Sequence, residues 1–286
     1  MHYQEFQPSP VFTRHVECFW TMEMQPGELN DPFEFLLPDC TFDILFSGQE
    51  LYLKSINDRR SEKIPAGAAF SGQKTGSFRF GIYRPTRIFG IRFKPFAFAN
   101  LIETPLCHFN DRVYPLDSVF ALNKEAAQSV RSIVSGADCR EQVAEAERLL
   151  SVLLDKSSSV DQTLRAQLNY ILEKKGLVRV SDVFSEFDIS KVALHQRFVR
   201  KIGLSPKTIC RIWRINYFLQ LYKKAPLYNL TEKGLEAGYY DQAHSIKEFK
   251  SFFGVCPSRF MSKESQLIRV SEQSIARRFS NQYDPR

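Results

Sequence analysis

The sequence predicts a two-domain protein. The N-terminal domain is expected to be α+β, a short-stranded β-sandwich or barrel followed by helices, and the C-terminal domain all-α with two helix-turn-helix units in tandem. Three observations predict this fold class: short apolar-aromatic runs fill residues 10–100, a polar Ser-rich segment occupies 156–160, and a motif recurs at a spacing of 51 residues near the C-terminus. A chain of 286 residues is long enough for two such domains.

The β-rich part is predicted from runs such as VECFWTMEM (16–24) and IFGIRFKPF (88–96). Clusters of Pro, Gly, Asn and Asp separate these runs, which is typical of turns between short strands. From about Phe96 the apolar residues recur three and four apart, which predicts helices in AFANLIE (97–103), NKEAAQSVRSIV (123–134) and REQVAEAERLLSVLLD (140–155).

The last of these predicted helices has an apolar stripe that runs from Val143 to Leu153. Such a stripe packs on the helix's own domain or pairs with a second subunit. We favour packing within the domain, because most apolar stripes on helices form part of a core.

A domain boundary is predicted at KSSSV, because this polar segment has little to bury. The charge changes at the same place: residues 1–160 hold 17 Lys and Arg against 20 Asp and Glu, whereas residues 161–286 hold 22 against 12. The basic half indicates a polyanionic partner. We therefore divide the chain into an N-terminal domain (1–155), a linker (156–160), a C-terminal domain (161–262) and a tail (263–286).

The repeat pairs FVRKIGLSP (198–206) with FKSFFGVCP (249–257). In each copy a Gly follows a helix and suits the left-handed residue that ends it, and a Pro three residues later suits the start of the next helix. Upstream of each copy a short helix and a turn precede a second helix, with Ser190 and Asp241 as predicted N-caps. The repeat therefore predicts two helix-turn-helix units in tandem.

The second helix of each unit is amphipathic. Leu194, Phe198 and Ile202 are spaced to face the core in the first unit, as are Phe249 and Phe253 in the second. A helix that offers a polar and basic face beyond a tight turn is the device that enters the major groove of DNA. KTICRIWRINYFLQLYKK (207–224) predicts a connecting helix of about 15 residues, roughly 22 Å long, which allows one chain to reach two successive grooves.

These residues carry a resemblance to a known family. GYYDQAHSIKEFKSFFGVCPSRF (238–260) and ISKVALHQRFVRKIGLSPK (189–207) resemble the DNA-binding domain of the AraC/XylS family of transcription regulators, over residues 164–262. The resemblance implies a seven-helix module with two helix-turn-helix units joined by one helix. It implies base recognition by Val192, His195 and Gln196 in the first unit, and by Gln242, Ala243, Ile246 and Lys247 in the second.

Residues next to these complete the expected DNA-binding surface. Lys191, Arg200 and Lys250 lie on the same faces, Asp241 precedes the second helix, and Arg197 either contacts phosphate or extends from the edge of the core. The full predicted set is Lys191, Val192, His195, Gln196, Arg197, Arg200, Asp241, Gln242, Ala243, Ile246, Lys247 and Lys250.

Four positions depart from the family pattern and make local packing an open question. Phe184 stands where a small Ala is usual, and Asp188 where the turn often has Gly. Lys233 and Ser245 stand where the second unit usually has apolar residues.

The N-terminal half resembles a poorly characterised sensor-type domain found in a subset of these regulators. LLPDCTFDILF (36–46) and FGIRFKPFAFANLIETPLCHFNDRVYPLDSV (89–119) carry this resemblance, with Cys40 in place of the usual Gly. It implies ligand binding, dimerisation, or both. The candidate pocket residues are Glu17, Trp20, Asp39, Asp43, Arg92 and Phe93. Structural roles are the alternative: Trp20 in the core, Asp39 in a turn and Arg92 as the partner of a carboxylate.

The sequence thus predicts a sequence-specific transcription regulator and activator, controlled at its N-terminal domain. Its expected partners are double-stranded promoter DNA, RNA polymerase, a small-molecule effector and a second copy of the chain. Six scattered cysteines without a CxxC pair predict reduced thiols and no metal or cofactor. We expect a cytoplasmic protein with no membrane association and no enzymatic activity. The alternative is a methyl-accepting cysteine, Cys18 or Cys40, fused to a DNA-binding module.

Overall fold

The computed structural model describes residues 2–25, 33–56, 61–81, 83–154, 161–224 and 230–261. The predicted linker (156–160) lies outside the described residues, as does the tail (263–286).

In the described residues of the N-terminal half, ten strands form two antiparallel sheets. The strands are β1 (His2–Phe6), β2 (Val16–Met24), β3 (Phe33–Leu36), β4 (Phe42–Ser47), β5 (Leu51–Ser55), β6 (Ser61–Ile64), β7 (Gly67–Ser71), β8 (Phe78–Gly81), β9 (Thr86–Phe93) and β10 (Val113–Pro115). One sheet has the order β1-β2-β9-β4-β7-β10 and the other β3-β8-β5-β6. This is the β-rich architecture that the sequence predicts.

Side chains alternate along the central strands and therefore serve two cores. In β2, Phe19 faces a core that the six-stranded sheet shares with helices, whereas Trp20 faces the space between the two sheets. Trp20 lies opposite Gly90 in the register of β2 with β9. A Cβ atom at Gly90 would lie 2.1 Å from the indole ring, so only glycine leaves room for Trp20.

After the sheets, the part of the N-terminal half that the structure describes forms three α-helices: α1 (Leu116–Val119), α2 (Lys124–Ser135) and α3 (Cys139–Leu153). Asn123 caps α2 by accepting a hydrogen bond from the Ala126 N–H. The stripe of α3 packs on its own domain, since Ala146, Leu149 and Leu150 are fully buried in the core beneath the six-stranded sheet.

The prediction of a helix at 97–103 is wrong. This segment forms successive turns, with Ala97 N–H bonded to Lys94 O and Leu101 N–H to Phe98 O. The physical reason is that Phe96 packs into the C-terminal core whereas Phe98 packs beneath the sheet. A regular helix with one buried face would not place Phe96 and Phe98 in two different cores.

The C-terminal half is helical in its described residues. Its helices are α4 (Gln162–Glu173), α5 (Val180–Glu186), α6 (Lys191–Lys201), α7 (Pro206–Lys224), α8 (Leu230–Glu236), α9 (Gln242–Phe253) and α10 (Pro257–Met261). Helix α7 connects the two helix-turn-helix units. It has 19 residues rather than about 15, which makes it roughly 28 Å long at 1.5 Å per residue.

The core of this half surrounds α7. Leu194, Phe198 and Ile202 are buried against it from the first unit, and Phe249 and Phe253 from the second. The same cluster includes Leu37, Cys40 and Phe96 of the N-terminal half. The two halves therefore share one hydrophobic core where they meet.

Candidate nucleic-acid interface and N-terminal cavity

Both candidate recognition helices, α6 and α9, begin at a side-chain cap after a tight turn. The Ser190 hydroxyl accepts a hydrogen bond from the Ala193 N–H at 3.2 Å, and the Asp241 carboxylate accepts one from the His244 N–H at 2.7 Å. The turns before them pass through left-handed residues, Asp188 at φ 44° and Gly238 at φ 74°. Aspartate tolerates this conformation better than most residues, so Asp188 replaces the expected glycine without breaking the turn.

Most of the predicted contact residues are on the exposed faces of these helices. In α6 these are Lys191, Val192, His195, Gln196 and Arg200, and in α9 they are Gln242, Ala243, Lys247 and Lys250, whereas Ile246 is half-buried. The exposure of Val192, at 64%, leaves an apolar side chain in water without a packing role. Such a side chain suits contact with a thymine methyl group.

The two helices border adjoining concave surfaces. One is lined by Lys191, Val192, His195 and Gln196 of α6, and the other by His244 and Glu248 of α9. Val180 and Lys207 line both. The exposed face of α6 is therefore close to the side of α9 that carries His244 and Glu248, whereas the predicted contact residues of α9 line neither surface.

The surface between the two helices is basic, a feature that the sequence analysis missed. Arg211 and Arg214 of α7 line it together with Lys207. Arg211 binds the Glu248 carboxylate through Nε at 2.8 Å and Nη2 at 3.2 Å, which fixes α9 against α7. Tyr240, 87% exposed beside the Asp241 cap, was also missed. The exposure of Tyr240 was predictable from sequence, because an aromatic ring in a tight turn next to a recognition helix has little to pack against.

Two predicted contact residues have structural partners. Arg197 forms an ion pair with Asp161 through Nη2 at 2.5 Å, and Lys201 binds the other oxygen of the same carboxylate at 2.9 Å. Of the two roles that the sequence allows for Arg197, the structure shows the one at the edge of the core. Asp241 is occupied as the cap of α9.

At the positions where the sequence departs from the family pattern, neighbouring residues accommodate the unusual side chains. Ser245 is fully buried and donates to the Gln242 carbonyl oxygen at 2.8 Å. A Cβ atom at Gly234 would lie 3.2 Å from the hydroxyl oxygen of Ser245. Two small residues, Gly234 and Ser245, therefore meet where α8 packs on α9, in place of the usual large apolar residue. Lys233 is buried at 5% exposure, and its ammonium lies 4.8 Å from the centre of the Tyr222 ring. Phe184 is half-buried beside α6.

A cavity lies between the two sheets of the N-terminal half. It is lined by four of the six candidate pocket residues: Trp20, Asp39, Asp43 and Arg92. The other two, Glu17 and Phe93, do not line it. Phe93 follows Arg92 on β9 and therefore points to the opposite face of the sheet, where it is fully buried. Glu17 occupies the irregularity in register between Val16 and Cys18, and it is not among the lining residues.

The polar groups of this cavity form a hydrogen-bonded set. Asp43 accepts a hydrogen bond from the Trp20 indole N–H at 3.2 Å and pairs with Arg92 Nε at 3.2 Å. Asp39 accepts from the Thr41 hydroxyl at 2.8 Å, as a turn residue does. Trp20, Asp39 and Arg92 thus have the structural roles considered above and line the cavity as well.

The N-terminal half contacts the end of each recognition helix. After α6, the Gly203 carbonyl oxygen accepts a hydrogen bond from the Asn110 side chain at 2.6 Å. Near the end of α9, the Phe252 carbonyl oxygen accepts one from the Ser77 N–H at 3.0 Å. The 72–77 loop joins these two contacts, because Thr75 N–H donates to the carboxylate of Asp111, the neighbour of Asn110, at 2.7 Å.

The described residues contain no group of three or more His, Cys, Asp or Glu side chains arranged to hold a metal ion. No helix in the described part of the chain has both the length and the apolar character needed to cross a membrane.

The fold and the exposed surface define a helix-turn-helix protein of the DNA-binding class. Residues 184–263 match the family model described as a helix-turn-helix domain, and residues 4–115 match a domain of unknown function (DUF6597). The C-terminal domain is of the AraC type, which supports an AraC/XylS family regulator with a DUF6597 domain at its N-terminus.

Several solved structures also match the chain. ToxT from Vibrio cholerae is 10% identical, with a TM-score of 0.46 over 92% of this chain and 98% of that chain. ToxT solved with an unsaturated fatty acid is 13% identical, with a TM-score of 0.45 over 85% and 94%. The AraC-like transcriptional activator CuxR is 16% identical, with a TM-score of 0.24 over 72% and 74%. No curated protein matches the chain.

Proposed function

We propose that this protein is a sequence-specific transcription activator that binds promoter DNA with α6 and α9 in successive major grooves. One observation carries the proposal: two capped helices expose polar and cationic faces while their apolar faces are buried around α7. With α7 roughly 28 Å long, and the width of each unit added, the helices suit two grooves one DNA turn, roughly 34 Å, apart.

Phosphate contacts in this proposal come from Lys191, Arg200 and Lys250 on the helices and from Lys207 between them. Base recognition comes from Val192, His195 and Gln196 in one groove, and from Gln242, Ala243, Ile246 and Lys247 in the next. Arg197 stays paired with Asp161, and Asp241 supports α9 as its cap.

We further propose that the N-terminal domain controls DNA binding through a small effector in its cavity. The 72–77 loop lines this cavity with Lys74 and bonds the end of α9 through Ser77. Its Thr75 bonds Asp111, whose neighbour Asn110 bonds the end of α6. Because this loop connects the cavity with the contacts at the ends of α6 and α9, a ligand in the cavity alters the orientation of α6 relative to α9. RNA polymerase and a second copy of the chain are the proposed protein partners, and the cytoplasm is the proposed location.

The proposal is tested by selecting genomic fragments with the full chain and measuring affinity by fluorescence anisotropy for a selected site and for its scrambled sequence. Replacing His195 and Gln196 by Ala should weaken binding to the selected site much more than to the scrambled site. The matched control replaces Gln162 and Thr163 by Ala, since both are exposed at the start of α4 and line neither concave surface. An equal loss on both DNAs would disprove base recognition by α6.

The methyl-accepting cysteine has no support in the structure. Cys18 and Cys40 are buried, and burial raises the pKa of the Cys18 thiol well above its ordinary value. A protonated, inaccessible thiol is a poor nucleophile. Treatment of the protein with a methylating agent, followed by mass spectrometry, should therefore leave both cysteines unmodified.

A further inference from the structure

A row of cations lies along one side of α7, in the cleft between the two recognition helices. Lys207, Arg211 and Arg214 are spaced four and three residues apart, which places them on one face of this helix, and all three line the cleft. His244 and Glu248 of α9 line it from the other side. Among the described residues that line the cleft, three cations therefore meet one carboxylate, which leaves the cleft positively charged.

The Arg211 guanidinium is held in one orientation by its neighbours. Its Nε and Nη2 atoms donate to the Glu248 carboxylate, Nη2 also donates to the Ser251 hydroxyl at 3.3 Å, and its central carbon lies 5.1 Å from the centre of the Phe252 ring. The Nη1 atom takes part in none of these bonds, and 37% of the Arg211 side chain is exposed. An arginine oriented in this way can offer its remaining N–H groups to an anion with little further loss of side-chain entropy.

Glu248 is shared with a second, less exposed arginine. Nη2 of Arg214 lies 3.5 Å from the Glu248 carboxylate, and the Arg214 guanidinium lies 4.7 Å from the centre of the Tyr239 ring. Because Arg214 also neutralises this carboxylate, the charge of Arg211 stays available to a ligand. The exposed side chains of Lys207 and His244 add an ammonium and a ring N–H to the same cleft.

The position of the cleft indicates which anion it binds. Lys207 lines both this cleft and the concave surface beside α6, so the cleft lies between the two recognition helices. When two such helices occupy successive major grooves on one face of a duplex, the minor groove lies between them, and the phosphates that border it are nearest to the helix that connects the two units.

We propose that Arg211, together with Lys207 and His244, binds a DNA backbone phosphate at the minor groove between the two major grooves. The proposal rests on the DNA binding proposed above and names a backbone contact of that same surface. A phosphate contact positions a protein along the duplex without reading a base. Arg211, which also holds α9 against α7, would thus position both recognition helices from a point between them.

Single methylphosphonate substitutions, each of which removes the charge of one phosphate, test this contact. They are placed one at a time in the selected site, between the base pairs assigned to α6 and to α9 by their alanine variants, and the affinity of the full chain is measured by fluorescence anisotropy. For the wild-type protein we expect a loss of about tenfold at one of these phosphates. Arg211→Gln should bind the unmodified site more weakly, lose little more at that substitution, and show a salt dependence reduced by about one ion.

Two further variants separate a phosphate contact from a structural role. Lys207→Gln should also reduce the loss at the same phosphate, and Lys207 is exposed and distinct from the ion pair between α7 and α9. Arg148→Gln is the matched control, because Arg148 likewise pairs with a glutamate but lies on α3 in the N-terminal half. This control should respond to every substitution as the wild type does.

Full sensitivity of Arg211→Gln at every substituted phosphate would show that Arg211 only holds α9 against α7, and the proposal would be wrong. Insensitivity of the wild-type protein at all of these phosphates would overturn it equally. If base-pair changes still weaken binding in either case, the phosphate site has failed and the proposed DNA recognition has not. Equal affinity for the selected and scrambled sites would instead contradict the proposed function.

Discussion

The side-chain amide of Asn216, in the middle of α7, donates a hydrogen bond from Nδ2 to the backbone carbonyl oxygen of Pro38 at 2.9 Å. Both groups are buried, and they belong to different halves of the chain. Pro38 lies between Leu37 and Asp39, which line the N-terminal cavity. The helix that spaces the two recognition helices is therefore bonded directly to a wall of the proposed effector site.

Replacing Asn216 by Leu should lower the free energy of unfolding by about 1–3 kcal/mol, because the Pro38 carbonyl would stay buried without its donor. Urea denaturation at neutral pH measures this change. The control is Gln162→Leu at an exposed position of α4, for which we expect a change within about 0.5 kcal/mol. Equal stability of the Asn216 variant and the wild type would show that the bond contributes nothing to the contact between the halves.

Replacing Gln242 by Ala should relax recognition at a single base pair. The Gln242 Oε1 atom accepts a hydrogen bond from the Thr231 hydroxyl at 3.2 Å, which orients the amide at the exposed start of α9. An oriented amide supplies the paired donor and acceptor that adenine requires. We expect a loss of about 1–3 kcal/mol at the preferred base pair and a smaller loss at its substitutes.

Anisotropy measurements on a panel of single-base-pair variants of the selected site give this comparison for Gln242→Ala. Lys250→Ala serves as its contrast, since a phosphate contact should weaken all sites alike and reduce the salt dependence of the affinity. A uniform loss for the Gln242 variant would exclude it from base recognition.

The Asp161 carboxylate makes the stability of the C-terminal domain depend on pH. Burial raises its pKa, but the Leu164 N–H, Lys201 and Arg197 together outweigh burial and hold the pKa of Asp161 below its ordinary value. A depressed pKa stabilises the fold at a pH above the unfolded value, about 3.9, and this contribution is lost as the pH falls through the folded value.

Asp161→Asn should therefore be less stable than the wild type at pH 7, and the difference should shrink as the pH falls from about 4 towards 2. Urea denaturation over this pH range tests the prediction. Asp182→Asn on the first turn of α5 controls for the loss of a carboxylate near a helix N-terminus. A difference for Asp161→Asn that does not change with pH would contradict the ion-pair account.

The tandem helical units were predictable because their signals are local. Caps, turn glycines and the spacing of Leu194, Phe198 and Ile202 each act within a few residues of sequence. The chain segment at 97–103 was not predictable in the same way, because Phe96 and Phe98 pack into cores that only the tertiary fold creates.

The residues of the N-terminal cavity were also only partly predictable from sequence. Trp20, Asp39, Asp43 and Arg92 were predicted as candidates from a resemblance, but Phe93 was included although strand alternation places it on the face opposite Arg92. Lys74 was missed because its burial depends on how the two sheets close over the loop. In the DNA-binding domain, the two roles considered for Arg197 could not be separated from sequence, because its partner, Asp161, is 36 residues away.

Gly254 ends α9 at φ 71°, and a Cβ atom added there would lie 2.4 Å from Cγ2 of Ile56 in the N-terminal half. Gly254→Ala should therefore destabilise the protein for two separable reasons. The left-handed backbone costs about 1–2 kcal/mol for a residue with a Cβ atom, and the contact with Ile56 adds to this.

Ile56→Ala removes the clashing atom, so the double variant Ile56→Ala, Gly254→Ala should be more stable than the sum of the two single losses predicts. Unfolding free energies of the four proteins give the coupling, which we expect to be about 0.5–3 kcal/mol. The cost of the left-handed backbone should remain in the double variant, because a change at Ile56 does not alter the φ angle of residue 254. If the two losses simply add, Ile56 of the N-terminal half does not press on the end of α9.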